Sequence, residues 1–421
     1  MNPEILTARR QRLSAALPLG DALLLIHAGE PVPLPEGSDQ TYPFRSHAEY
    51  LYAAGEECAR GVVAFDPREG AAGWRTFTPP VTEAERVWEG RLPAAGDSLE
   101  ELQPWLDARR GRRVIALGAA QAEAGAEQVR EAFTEARRVK DEHELALIRA
   151  AVAATAAGHA LLPDLIRPGV TERRIQIELE AEFLRHGART TGYGTIVGTG
   201  PNSAVLHFAP SARAVRAGDF VLVDAGAEVG RYVADVTRTH VAGRPTPFQR
   251  DLHQLVVHAE QRAIKRCVAG AEWKEIHLAT AVDLMEGLVA MGVMRGAAPS
   301  LVEREAHTLF FPHGVGHMVG LGVRDGSGRA PGRPKDPRPC LRTLRMDLPL
   351  RPGHVVTIEP GLYFIPAILQ DPARRARYAH DVNWDLVDLH LEAGGVRIED
   401  NIRVTAGEPD VLTRAIPRDL P

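Results

Sequence analysis

Over its first 120 or so residues the chain alternates short apolar runs with polar stretches carrying leucine at helical spacing. ALLLIHAG (22–29), GVVAFDP (61–67), WRTFTPP (74–80) and RRVIALG (112–118) read as strands, and the polar segments between 82 and 110 read as helical. That alternation predicts a small α/β domain over residues 1–130. Beyond it the pattern changes. Asp141 with Glu144 three positions later predicts a helix N-cap with its capping-box partner, and Leu145, Ile148 and Val152 mark one face of the helix that follows. Thr171 caps a second helix carrying Ile175, Leu179 and Phe183, and two further stripes of the same period run near 249–268 and 274–291. Between and after these helices come the strands TIVGTG, FVLVDAG, YVADVTRT, HVVTIEPG and GVRIEDNIRV. Helices and antiparallel strands in blocks predict an α+β domain over 131–421. Residues 326–350 and 366–392, rich in proline, arginine and aspartate, read as long excursions from it.

Composition narrows the classes. A chain of 421 residues exceeds one ordinary hydrophobic core, which agrees with two domains. With 44% hydrophobic and 25% charged residues it is ordinary for a soluble globular protein, and a net charge of −5 gives no reason to expect a nucleic-acid surface. The N-terminal MNPEILTARRQRL carries charges where a signal peptide needs an apolar stretch, and no run reads as a membrane span. Three scattered cysteines without paired spacing fit a reducing compartment. The expectation is a cytoplasmic protein that meets neither membrane nor nucleic acid.

The unusual positions are acidic. FVLVDAGAEVGRYVADVTRT reads as a hairpin, and a turn centred on Val229–Gly230 sets Asp224 directly opposite Asp235, with Cβ atoms about 4.5–5.5 Å apart. Unpaired like charges facing each other destabilise a sheet, so two aspartates in apolar strands point to a cation. Glu359 closes another apolar strand, and Glu399 shares a face with Arg397 and Asn401 by the period of two. Taken alone, Glu399 could be half of an edge-strand ion pair. In FPHGVGHMVGLGVRD (311–325), His313 and His317 lie four apart with glycines between them that cost a helix about 1 kcal/mol each. An extended chain also puts residues four apart on one face, so both imidazoles can address one site from a strand. Four carboxylates and a nearby imidazole make a cluster of hard oxygen donors with one nitrogen. GTGPNS (198–203) lacks the lysine of a phosphate loop and reads as a turn.

VDAGAEVGRYVADVTRT, FPHGVGHMVGLGV, TIEPGLYF and VRIED, in that order, resemble the pita-bread metallopeptidases, which include methionine aminopeptidase, aminopeptidase P and prolidase. LLLIHAGE, TYPFRSHAEYLY and CLRTLRMDLPLRPGHVVTIEPGLYFIP look particularly like bacterial prolidases. The resemblance implies a creatinase-like N-terminal domain before a pita-bread catalytic domain. It makes Asp224, Asp235, His317, Glu359 and Glu399 the ligands of two divalent ions, manganese by expectation, with cobalt or zinc as alternatives. Water activated by that pair would be the nucleophile, and Glu359 would carry its proton to the leaving proline nitrogen. The same resemblance assigns His313 and His207 to the substrate side and lets Arg397 receive a substrate carboxylate. It implies a homodimer and a prolidase, hydrolysing Xaa-Pro dipeptides. The alternatives are an aminopeptidase P acting on longer peptides and, in another class, a binding module that has lost its metal.

One position departs from the pattern. Where the family commonly has His-Asp, this chain has Arg324-Asp325. Arginine cannot act as a general acid near neutral pH, but it can stabilise an oxyanion, bind a substrate carboxylate or pair with Asp325. The R324A variant is expected to lose about tenfold or more in kcat/KM; wild-type kinetics in that variant would remove Arg324 from the site.

Overall fold

The computed structural model describes residues 1–118 and 124–420. The chain divides into two compact units, Met1–Arg137 and Arg138–Pro421. Residue 130, where the sequence pattern changes, falls inside the helix Ala126–Arg138.

In the first unit the four strands read from the sequence form at Leu23–His27, Val62–Phe65, Trp74–Thr78 and Val114–Leu117. With the short Asp97–Ser98 they make one mixed five-stranded sheet, antiparallel along Leu23–His27, Val62–Phe65 and Trp74–Thr78 and parallel where Val114–Leu117 joins. Leu25, Val62, Ala64, Phe77 and Ala116 pack one of its clusters.

The second unit is α+β. Asp141 accepts the N–H of Glu144 at 2.9 Å and Glu144 accepts that of Asp141 at 3.0 Å, closing the capping box of the helix Glu142–His159. The same Glu144 carboxylate accepts the Tyr232 hydroxyl at 3.1 Å, so the helix cap also fixes the hairpin below it. This helix runs into Leu165 as a segment apolar enough by length and composition to meet a membrane-span criterion. Half of its apolar window is buried, its Leu145, Ile148 and Val152 among the core residues. Thr171 caps Glu172–Arg185 as the sequence predicts, and Pro247–Arg266 and Trp273–Ala290 are the other two long helices. The GTGPNS stretch is a strand end and a short 3₁₀ turn, whose Thr199 and Asn202 donate to the fully buried Glu172 carboxylate.

The hairpin register differs from expectation. Asp224 lies opposite Thr237, because the turn centres on Gly230–Arg231. Both turn residues have positive φ, 56° and 74°, the geometry of a two-residue turn whose twist matches the flanking strands. The register is thus shifted by two places from the expected one, and both Asp224 and Asp235 still line one cavity.

The long apolar strands are also broken. YVADVTRT splits into Tyr232–Val233 and Thr237–Val241, HVVTIEPG leads into Val355–Ile358 and Gly361–Tyr363, and GVRIEDNIRV splits into Gly395–Arg397 and Asp400–Arg403. Asp235, Glu359 and Glu399 therefore sit in breaks between strands rather than within them. At the second break Pro360 has no N–H to give to a ladder. Its carbonyl still accepts Ile398 N–H.

His277 is 1% exposed, and neither ring nitrogen has a hydrogen-bond partner. Burial, then the neighbouring His307, holds it down to about 3. An unfolded histidine titrates near 6.5, so between those values the unfolded state holds a proton that the folded state rejects. Stability is thus expected to fall as pH falls through this window, by on the order of 2 kcal/mol at pH 5 for this group. Urea midpoints at pH 7.5 and 5 should show the fall, and H277F should show less of it; an equal fall in both would acquit His277.

Candidate metal centre

Two ladders deliver the acidic residues to one place. The pairings Ile358↔Asp400 on one side of the break and Gly361↔Arg397 on the other keep a single register, which sets Glu359 opposite Glu399. The other hairpin ends at Asp224, and the backbone of Glu399 donates to Thr237 carbonyl at 3.0 Å, joining the two ladders. Asp235 is fixed in its break by Asn401, whose side chain accepts Asp235 N–H at 2.9 Å and donates to its carbonyl at 2.7 Å. Behind Glu399, the buried Arg238 donates to its carbonyl at 2.7 Å and to Asp400 at 2.9 Å.

No helix forms between 311 and 318; the histidine segment bends at His313 and Val315. It runs along the Val355–Ile358 strand: Glu359 N–H donates to Val315 carbonyl and Thr357 N–H to His317 carbonyl, each at 2.8 Å. Gly316 explains the glycines of this segment. Its φ is 153°, and a Cβ there would lie 2.1 Å from the Thr357 carbonyl oxygen. The close approach that this glycine permits places His317 beside Glu359.

All nine residues singled out from the sequence line one cavity of about 460 Å³: His207, Asp224, Asp235, His313, His317, Arg324, Glu359, Arg397 and Glu399. Asp235, His317 and Glu399, all buried, each turn a donor atom to within 4.8 Å of the others. His317 Nε2 lies 3.4 Å from Asp235 and 3.8 Å from Glu359. Its Nδ1–H donates to the Met318 carbonyl at 3.0 Å, which leaves the Nε2 lone pair facing the carboxylates. Burial and the charge of Asp224 raise Asp235 well above the usual carboxylate range. Burial and Asp235 do the same to Glu399, and burial pushes Glu359 up to about 7, with Asp224 adding to the rise against the pull of Arg397. Among these crowded carboxylates only Asp224 has an arginine ion pair, to Arg397, and divalent cations would supply the rest of the positive charge. An oxygen-rich donor set with one imidazole fits hard or borderline metals.

Arg397 is placed differently from the role that the resemblance implies. It is 3% exposed and donates to Asp224 at 2.7 Å, Tyr363 at 3.0 Å and Thr237 at 3.1 Å. Its fork holds Asp224 rather than standing open to a ligand, and its ion pair is with Asp224 and not Glu399. His313 stands at the edge of the carboxylate–His317 group, its Nδ1 3.8 Å from Glu359. Its Nδ1–H donates to Gly314 carbonyl and its Nε2 accepts from the Tyr363 hydroxyl, both at 2.8 Å. Burial, then Arg397, holds His313 neutral down to about 3. His207 lies in an exposed turn at the cavity edge. Arg324 makes no pair with Asp325, whose carboxylate accepts from the buried Lys140 at 2.9 Å and from Leu321 N–H at 3.0 Å.

Sequence reasoning missed Tyr193, Thr237, Tyr363 and Arg345. Tyr193 donates to Asp224 at 2.7 Å and Thr237 to Glu399 at 2.7 Å, so both hold carboxylates in place. Tyr363 lies inside the TIEPGLYF motif, but its hydrogen bond to His313 has no signal in the sequence. Gly316→Ala is expected to weaken divalent-metal affinity by about tenfold or more, because it displaces the strand that orients His317 and Glu359. Calorimetric titration of the chelated protein tests this; unchanged affinity would separate Gly316 from the site.

The comparisons with known proteins agree with this geometry. The family model described as metallopeptidase family M24 matches residues 146–406, and the one described as the N-terminal domain of aminopeptidase P matches residues 6–103. The chain is 30% identical over 396 residues to a protein of Tuber melanosporum named "Probable Xaa-Pro aminopeptidase", covering 90% of this chain and 86% of that one. It is 31% identical over 430 residues to a protein of the same description from Penicillium rubens, covering 93% and 85%. Among solved structures it is similar to the aminopeptidase PepP of Pseudomonas aeruginosa, with a TM-score of 0.81, 25% identity, and coverage of 99% and 96%. Since the catalytic unit is matched over most of its length and the relatives align from end to end, this chain belongs to metallopeptidase family M24 and carries an aminopeptidase P type N-terminal domain.

Proposed function

We propose that this protein is a Xaa-Pro aminopeptidase, removing the N-terminal residue from peptides whose second residue is proline. The observation that carries this reading is the cluster of Asp224, Asp235, Glu359 and Glu399 around the free Nε2 of His317, at the floor of a cavity of peptide size. The expectation of a dipeptidase yields here to the alternative, since the relatives that align along the whole chain bear the name Xaa-Pro aminopeptidase.

In this reading Asp224, Asp235, His317, Glu359 and Glu399 hold two divalent ions. When bound, such ions act as Lewis acids and lower the pKa of water. The chain's own residues do the rest. Tyr193, Thr237 and Arg397 hold Asp224 and Glu399 in fixed orientation. Glu359 carries a proton toward the leaving proline nitrogen. The substrate's ammonium meets the acidic floor, while the neutral His313 adds no like charge to repel it.

Hydrolysis of Ala-Pro-Ala and Ala-Pro by chelated protein, with and without added Mn²⁺, tests the proposal. Release of alanine from the tripeptide is expected only with metal, and kcat/KM for the tripeptide should exceed that for the dipeptide. Preference for Ala-Pro would restore the dipeptidase; no metal-dependent cleavage of either would sink the reading. H317A is expected to weaken metal binding by about tenfold or more, read by metal content after dialysis.

A further inference from the structure

Behind the acidic floor lies a second polar cluster that the proposed reaction does not use. Arg238 is 2% exposed, and all five N–H groups of its guanidinium have acceptors. Nε donates to the Pro417 carbonyl at 2.8 Å, and one terminal nitrogen donates to the Thr237 and Glu399 carbonyls at 2.9 and 2.7 Å. The other donates to the Asp400 carboxylate at 2.9 Å and to the Ile416 carbonyl at 2.8 Å. One buried side chain thus joins the strand of Thr237, the break that carries Glu399 and a segment that lies later in the chain.

A second arginine completes the cluster. Arg418 donates through Nε to the Asp400 carboxylate and lies 3.3 Å from Glu260. Asp400 and Glu260 are fully buried, and neither Glu260 oxygen has a hydrogen-bond partner, so Arg418 is the cation paired with it. The same segment also reaches the break of Asp235. The Thr413 hydroxyl accepts Asn401 N–H at 3.0 Å and donates to Asp400, and Leu412 N–H donates to the Asn401 carbonyl at 2.9 Å. Asn401 is the residue whose side chain brackets Asp235. Asp410–Val411 adds a short antiparallel pairing to Ile402 and Arg403. Little else anchors this stretch: between 413 and 417 only Thr413 and Ile416 are buried, while Arg414, Ala415 and Pro417 are exposed. A segment with so few apolar contacts depends on its hydrogen bonds, and it opens locally once these are lost.

We infer that the segment from Asp410 to Arg418 belongs to the metal centre as its outer clamp, with Arg238 and Arg418 as positioning residues for Glu399 and Asp235. The inference rests on the reading of those two carboxylates as metal ligands, and adds that the segment and the ions are thermodynamically linked. The link has a simple origin. Bound ions fix Asp235 and Glu399, and with them the backbone of Glu399 and the Asn401 side chain, to which the clamp connects. In the other direction, release of the segment takes two carbonyl partners from Arg238 and the Thr413 hydroxyl from Asn401, which frees both ligand breaks to move. Whatever factor the closed clamp adds to metal affinity, bound metal adds to closure of the clamp.

The test uses the full-length chain with Mn²⁺ as the probe. Hydrogen exchange of wild type, first chelated and then saturated with Mn²⁺, follows the amides of Leu412 and Ile416, which donate to the Asn401 and Thr413 carbonyls. Metal is expected to slow their exchange about fivefold or more. Calorimetric titration of chelated R418A should give a Mn²⁺ affinity about tenfold weaker than that of wild type, with R418K recovering part of the loss. R414A, which removes an exposed arginine of the same segment, should bind as wild type does. A role in fold stability alone would lower the urea midpoint of R418A equally with and without metal. The clamp instead predicts the larger drop with metal present, at equal Mn²⁺ concentration. Unchanged exchange at Leu412 and Ile416 on metal binding would overturn the inference, as would an R418A affinity equal to that of R414A. Should R418A fail to fold, the exchange measurement on wild type decides alone. Failure of wild type to bind Mn²⁺ would remove the metal centre and the clamp together. Metal-linked exchange in a protein that cleaves no Xaa-Pro peptide would sink the aminopeptidase reading and leave the clamp standing.

Discussion

The catalytic unit is organised around an electrostatic demand: Asp224, Asp235, Glu359 and Glu399 converge in a largely buried cleft with few cations of their own. Isolated carboxylates removed from water shed their charge or find positive partners. Here the chain supplies only part of what is needed. Arg397 answers Asp224, Tyr193 and Thr237 each give a hydroxyl, and the remainder is left for ions from solution. This explains why so much of the surrounding architecture is rigid and buried. A cluster that would repel itself in the absence of metal has to be held from outside, by Asn401 at Asp235, Arg238 behind Glu399 and the cap residue Glu144 through Tyr232.

The breaks in the strands serve the same demand. A residue in a continuous ladder points perpendicular to the sheet, and its neighbours one place away point to the other face. Interrupting the ladder at Asp235, Glu359 and Glu399 lets three carboxylates turn toward a common centre, while the register on both sides of the second break stays the same. Pro360 and Gly316 are the local means. One withholds an N–H, and the other omits a Cβ where the histidine segment approaches Thr357. The cavity that results is lined by these carboxylates together with Arg324, Arg345 and Arg397.

Much of this was legible in the sequence for a simple reason: caps and periodicities are local. Asp141–Glu144 and Thr171 announce helices through contacts three residues long, and alternation announces strands without reference to the rest of the fold. The four carboxylates stand out because acidic residues are improbable in apolar strand patterns, and the resemblance to a known family adds His317 to them. The hairpin register differs by two places from the expected one, yet Asp224 and Asp235 still meet in one cavity. What those side chains bond was not legible. Arg397 lies two residues from Glu399 but spends its fork on Asp224, which is 173 residues away. Arg345 lies inside the CLRTLRMDLPLRPGHVVTIEPGLYFIP stretch, but nothing local in it shows that it lines the cavity, where Gly328 N–H pairs with its carbonyl. The sequence by itself thus determined the helices, most of the strands and the acidic donor types, because these follow from short-range periodicity. The tertiary structure alone decided the register, the strand breaks and which carboxylate Arg397 holds, because these depend on pairings between segments far apart in the chain.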